Sequence, residues 1–306
     1  MHTVYRMQEQ LRISATAQGL NYLPEYYANR TGGFARYGLS VTARARLPWN
    51  GVVDDLTDGS ADVALGGLWV PAMYSGIARD LVVVGQLNGR FPMIVLTREP
   101  VDGFEWTWLQ GKTVLVPGLG GTAPYEFTAG LMREAGVDPC GTRFVRDLSS
   151  EMLTELYEGG LGDALVTDLL SATLLGRNGR GFLSCRIAGV GGPMPNSVYY
   201  IRRDRLAELN DRLVALLSGV QEAMTAINSG ADISPVLAAQ WPDTEPEALL
   251  SAARELVADG TWSGVRVDSA ASDRWTSMLH AHGLTPAEVK YADIVDTTAV
   301  DLVEGA

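Results

Sequence analysis

The stretch LRISATAQGLNYLPEYYANRTGGFARYGLSVTARARLPWNGVVDDLTDGSADVALGG, residues 11–67, decides the fold, because residues 112–168 repeat its plan as KTVLVPGLGGTAPYEFTAGLMREAGVDPCGTRFVRDLSSEMLTELYEGGLGDALVTD. Each copy begins with an apolar strand, LRISA or KTVLVP, and passes through a polar or glycine-rich loop. Pro24 or Pro124 then opens an amphipathic helix, where the missing N–H costs nothing, and Gly38 or Gly136 closes it in a left-handed cap. A second strand follows (LSVTARA; TRFVRD), then a helix ending at Leu56 and Gly59 or Leu156 and Gly160. Each copy finishes on a short buried strand led by an acid, Asp62-Val63-Ala64-Leu65 and Asp163-Ala164-Leu165-Val166. Such alternation predicts an α/β fold with mostly parallel strands. Two matched units predict two lobes with a cleft between them.

Working outward, DLVVVGQL (80–87) and FPMIVLT (91–97) read as strands around a loop at Asn88-Gly89-Arg90, and FLSCRIAGVGG (182–192) and SVYYIRR (197–203) as later ones. From Asp204 the apolar spacing becomes helical, first over LAELNDRLVALLSGVQEAMTAINSG and then in the shorter segments ISPVLAAQWP and EPEALLSAARELVADG. The expected plan is a first lobe of residues 11–97 plus 198–306, the latter forming a helical cap, and a second lobe of 98–197. Two extended crossings would form the hinge.

The 306 residues fit two domains, and 46% hydrophobic with 20% charged residues is an ordinary globular composition. A net charge of −12 argues against a nucleic-acid partner, which needs a clustered basic surface. No apolar run reaches the roughly 18 to 20 residues of a membrane span, so no membrane insertion is expected. The start MHTVYRMQEQLRIS carries no apolar signal core or lipobox. The expectation is a cytoplasmic chain as encoded, or an extracytoplasmic one if the true start lies upstream. Cys140 and Cys185 could form at most one disulfide, and two free thiols are expected. The histidines are His2, His280 and His282, with no HExxH or CxxC motif, so neither a metal nor a cofactor is expected. A Ser-His-Asp system has no histidine near the strand ends to draw on.

In open α/β sheets ligands bind beyond the carboxyl ends of the strands. In the first lobe that rule selects Thr16 to Tyr22, Leu47 to Gly51 and Gly66 to Trp69, and in the second Gly118 to Thr122, Asp147 to Ser149 and Thr167-Asp168. The segments Asn88 to Arg90 and Pro195-Asn196 complete the set. Within it Asn21 and Tyr22 are a polar pair with an aromatic ring, while Trp49, Asn50, Gly67 and Trp69 could sandwich a planar ligand or seal the core. Arg90 could fork onto an anion or form a hinge salt bridge. Gly121 and Thr122, between a strand and a helix N-terminus, could offer backbone N–H groups to an anion or simply make the turn. Asp168 could take a ligand amine or hydroxyl, or cap the next helix.

These residues resemble the SsuA/THI5-like (NMT1-like) substrate-binding proteins of the type II periplasmic-binding-protein fold. NYLPEYYANRTGGFARYGLSV is similar to that family's entry, DDLTDGSADVALGG to its L-x-x-G-x-A-D segment, and LQGKTVLVPGLGGTAPYEFTAGLMREAGVD to the strand, glycine loop and helix that open its second lobe. ELYEGGLGDALVTD and YADIVDTTAVDLV match its second acid-led strand and its tail, so the likeness runs over about 11–300. The resemblance implies hinged capture of a small organic ligand, anionic or aromatic, on behalf of an ABC permease. The same fold has been recruited for cytoplasmic enzymes, and the alternative expectation is a metal-independent lyase or decarboxylase. The desulfinase branch would need a cysteine after the first strand, where this chain has Ala15-Thr16-Ala17, and the THI5 branch a lysine, a histidine and a cysteine-rich motif that are not matched here. A cytoplasmic ligand sensor is the third expectation.

Overall fold

The computed structural model describes residues 8–118 and 122–305. The first unit runs β1 (Glu9–Ala15), a single 3-10 turn at Leu20–Tyr22, α1 (Leu23–Arg30), α2 (Gly33–Arg36), β2 (Leu39–Ala45), α3 (Gly51–Asp58) and β3 (Val63–Gly67). Pro24 sits in the first turn of α1 as its fixed φ favours. The helix expected to continue to Gly38 breaks at Gly32, whose φ of 73° is one that glycine adopts without steric cost. Next come α4 (Trp69–Tyr74), β4 (Leu81–Arg90) and β5 (Met93–Thr97). The segment 88–90 is therefore strand rather than the expected loop.

The second unit follows as β6 (Thr113–Leu115), α5 (Ala123–Glu134), β7 (Arg143–Val145), α6 (Ser150–Glu158) and β8 (Ala164–Asp168). It continues into α7 (Leu169–Arg177), β9 (Phe182–Arg186), α8 (Ile187–Val190) and β10 (Pro193–Arg202). The C-terminal third is helical: α9 (Leu206–Asn228), α10 (Ser234–Gln240), α11 (Pro246–Ala258), α12 (Ser269–Ala281), α13 (Tyr291–Ile294) and α14 (Thr298–Glu304).

The strands form two five-stranded sheets, β2-β1-β3-β10-β4 and β7-β6-β8-β5-β9. In the first, β1 pairs parallel with β2 and β3, while β10 lies antiparallel between β3 and β4. In the second, β6 pairs parallel with β7 and β8, while β5 lies antiparallel between β8 and β9. The repeat read in the sequence is thus a repeat in space, and each sheet is completed by one reversed strand from outside its own unit. These memberships move the crossings. Met93–Thr97 belongs to the second sheet and Pro193–Arg202 to the first, so the chain leaves at Phe91-Pro92 rather than at 97 and returns within 187–192 rather than at 197.

The acid-led strands do the same work in both units. Asp62 accepts the backbone N–H of Arg12 at 3.0 Å, and Asp163 accepts that of Thr113 at 2.8 Å. Each carboxylate satisfies the N–H of the residue facing it on the neighbouring parallel strand, Arg12 within β1 and Thr113 at the start of β6.

The helical third does more than cap the first sheet. An apolar layer runs from Leu11, Ile13, Leu65 and Tyr199 through α9 and α11 to Leu165, Leu169 and Leu175 of the second unit. Arg186 of β9 pairs with Asp259 at 2.8 Å, Arg177 of α7 with Glu245 at 2.6 Å, and Arg274 of α12 with Glu134 of α5. His282, just past α12, turns a largely covered side chain to Glu126 of α5. Both thiols are free, Cys140 exposed and Cys185 buried, where desolvation pushes it up to about 12 and suppresses its reactivity.

Candidate functional site

The carboxyl ends of β1, β3 and β4 come together around the start of the reversed strand β10. Ser197 of β10 stands directly between Gly67, the last residue of β3, and Asn88 of β4. From the β1 side, the Tyr22 hydroxyl lies 3.4 Å from the Thr16 hydroxyl. Burial raises the Tyr22 phenol above its usual range, an effect that bonding to Thr16 and Ser197 partly offsets. Asn196 adds its amide to the Ser197 hydroxyl at 3.3 Å. Thr16, Tyr22, Asn88, Asn196 and Ser197 are thus a group of neutral donors and acceptors at the foot of the hinge.

Beneath them lies a buried acid. Glu25, in the first turn of α1, accepts the Tyr199 hydroxyl at 3.0 Å, and desolvation pushes its carboxyl up to about 7. Beside them, the Trp69 indole lies across Gly67, where a side chain could not fit: a Cβ there would fall 2.0 Å from Nε1. Trp49 packs edge-on to Trp69 with ring centroids 4.6 Å apart. An edge-to-face pair fixes both rings at the end of β3.

The remaining candidates are placed as follows. Asn21 keeps a partly exposed side chain, and its carbonyl accepts the Trp262 indole N–H at 2.9 Å. Asn50 is exposed at the start of α3. Arg90 Nη1 donates to the Ala188 carbonyl at 2.8 Å, tying β4 to α8, and forms no ion pair among the described residues. Asp168 caps α7, accepting the Ser171 N–H at 3.0 Å and its hydroxyl at 2.6 Å. Thr122 precedes α5, its carbonyl accepting the Glu126 N–H at 3.2 Å. Gly121 lies outside the described residues.

At the second sheet's strand ends Asp147 belongs to the segment 147–149 selected from the sequence, but its backbone conformation was not legible there. Asp147, just after β7, has φ 70°, and a Cβ on Gly118 would meet its backbone N at 2.6 Å. A non-glycine residue held there at a strand end marks a locally constrained site. Arg146 beside it stacks its guanidinium 4.3 Å over the Tyr125 ring in the first turn of α5. Asn88 and Ser197 were also missed as a pair, because only the register of β10 brings them together. Among the described residues, no three His, Cys, Asp or Glu side chains are grouped to hold a metal ion, and no helix is long and apolar enough to cross a membrane.

Two mixed sheets of this order, crossed twice and flanked by helices, define the type II periplasmic-binding-protein fold expected from the sequence. Comparison with solved structures bears this out. The chain aligns with the periplasmic aliphatic sulphonate-binding protein SsuA of Escherichia coli at a TM-score of 0.74 and 16% identity, covering 94% of this chain and 92% of that one. The alkanesulfonate-binding SsuA of Xanthomonas axonopodis pv. citri, bound to MOPS, gives 0.73 and 18% over 94% and 98%. The ligand-binding component of an ABC-type import system from Staphylococcus aureus gives 0.76 and 11% over 96% and 98%. Among curated proteins, the candidate binding protein YtlA of Bacillus subtilis (strain 168) is 21% identical over 246 residues, 78% of this chain and 73% of YtlA. No protein-family model matches the chain.

Proposed function

We propose that this chain is a solute-binding protein that closes its two lobes on a small organic molecule and presents it to an ABC permease. The position of Ser197 supports this most directly: it lies between Gly67 and Asn88, on the strand that returns through the hinge. Polar groups able to orient a ligand therefore sit beside the crossings about which the lobes close. The Trp49–Trp69 pair and Tyr22 suit a ligand with a planar or apolar face. Import components and sulfonate-binding proteins share the fold over nearly the whole chain, which supports the same reading. On this reading the protein works on the outer side of the membrane that holds its permease, and cell fractionation tests that placement.

A thermal-shift screen with aromatic acids, sulfonates, amides and small metabolites, followed by mass spectrometry of each hit, tests the function. Binding with the hit recovered unchanged is expected. A hit consumed with turnover would overturn the reading in favour of an enzyme.

A further inference from the structure

Asn88 is wholly buried, and neither its Oδ1 nor its Nδ2 has a hydrogen-bond partner among the described residues. Buried polar groups are nearly always paired, and an unpaired one costs its full desolvation. The surrounding main chain is not at fault. On the outer edge of β4 the Gly89 N–H donates to the Thr261 carbonyl at 2.9 Å and the Gln86 N–H to the Val265 carbonyl at 2.8 Å. Only the side-chain amide is left, directly opposite Ser197 among the strand-end groups described above.

We propose that Asn88 determines specificity, and that the ligand end received against the first sheet is neutral with a donor beside an acceptor, as in a primary carboxamide, a lactam or an amidine-like ring edge. This deepens the solute-binding reading and rests on it. A free amide can meet such an edge through two parallel hydrogen bonds, as asparagine does with adenine. Arg90, whose Nη1 donates to the Ala188 carbonyl and which forms no ion pair among the described residues, is the one cation on β4, so the comparison of acids with amides decides whether a charged end is received instead. Glu25 illustrates the penalty of burying a charge nearby: its carboxyl is pushed up by burial despite the bond from Tyr199. Asn88 lies three residues before the crossing at Phe91-Pro92, so hinge opening is the movement that uncovers it.

Calorimetry and thermal shift with benzamide and nicotinamide, against benzoate, nicotinate and benzenesulfonate, test this on the full chain. The amides are expected to bind at least about tenfold more tightly than their acids, and Asn88→Leu to weaken them roughly ten- to a hundredfold. Asn88→Asp, which keeps the shape but loses the donor, is expected to weaken them comparably. Without ligand, Asn88→Leu should raise the melting midpoint by about a degree or more, since it removes an unpaired buried amide. Failure of both amides to bind, acids binding as well as amides, amide binding that survives Asn88→Leu, or a lowered unliganded midpoint would each overturn the assignment. If wild type binds only charged compounds, Asn88 loses its role and the solute-binding reading stands; if the whole screen yields no ligand, both fail.

Discussion

Tyr199 donates its phenolic hydroxyl to the Glu25 carboxyl across 3.0 Å, and both side chains are closed off from water. Desolvation outweighs that bond and moves the carboxyl from an ordinary 4.5 up to about 7. Between those values the folded chain holds a proton that the unfolded chain releases. The favourable contribution is therefore full below the unfolded value of 4.5 and is lost as pH rises through about 7. Its size is at most roughly 3 kcal/mol. Glu25→Gln keeps an acceptor for Tyr199 and cannot ionise, so it should match wild type near pH 4 and be more stable by about 2 to 3 kcal/mol near pH 8. Urea titrations across that range provide the check, and curves that coincide at the alkaline end would show that the carboxyl is not under this strain.

The paired acids Asp62 and Asp163 invite a differential test. Desolvation acts to raise the Asp62 carboxyl, but bonding and charge from Arg12 and Arg205 outweigh it and hold the group below its ordinary 3.8. Its stabilisation is present above that value and fades as pH falls through the depressed one. Asp62→Ala strands the Arg12 N–H and two guanidinium contacts; with Arg12 about half exposed, the cost is discounted to about 2 to 3 kcal/mol. Asp163→Ala loses chiefly the Thr113 N–H bond and should cost about 1 kcal/mol. Equal losses in chemical denaturation would mean that the Arg12 and Arg205 contacts add nothing.

What was legible and what was not divides along local and long-range physics. Pro24 and Pro124 mark helix starts and Gly59, Gly136 and Gly160 mark helix ends, because the missing N–H and the left-handed φ are properties of the residue itself. Which sheet receives β5 and β10 is not written locally: FPMIVLT and SVYYIRR are apolar runs that would suit either. Asn88 shows the consequence. It reads as a loop residue beside Gly89, yet becomes a buried strand residue because Ser197, more than a hundred positions later, pairs opposite it. Asp168 was ambiguous for the opposite reason, since one residue type suits a ligand and a helix cap equally, and the geometry shows the cap.

Gly67 is expected to be intolerant of any side chain. A Cβ there would lie 2.0 Å from Trp69 Nε1 and 2.3 Å from its Cδ1, so Gly67→Ala must displace the indole from its edge contact with Trp49. Overpacking of this kind costs about 1 to 3 kcal/mol. The tryptophan emission maximum should shift along with the loss, and ligand affinity should fall because the end of β3 is reshaped. An alanine variant with unchanged emission and unchanged melting midpoint would show that the indole is not fixed across Gly67.

Arg186 should couple the second sheet to the helical third. From β9 it reaches Asp259 at 2.8 Å and 3.2 Å and the Glu255 carbonyl at 2.9 Å, past the end of α11 and within it. Asp259 is only 10% exposed, so removing the guanidinium leaves a nearly buried carboxylate unpaired. Arg186 is itself about one-third exposed, and allowing for screening Arg186→Met should cost about 1 to 3 kcal/mol. A double-mutant cycle with Asp259→Asn should return a coupling of about 1 kcal/mol or more, whereas a coupling near zero would remove the pair from the forces holding α11 to the second unit. Because α11 also packs in the apolar layer of the first sheet, the same substitution should loosen one lobe from the other. Small-angle scattering of the unliganded variant should then show a larger radius of gyration than wild type, and an unchanged radius would confine the effect to the local ion pair.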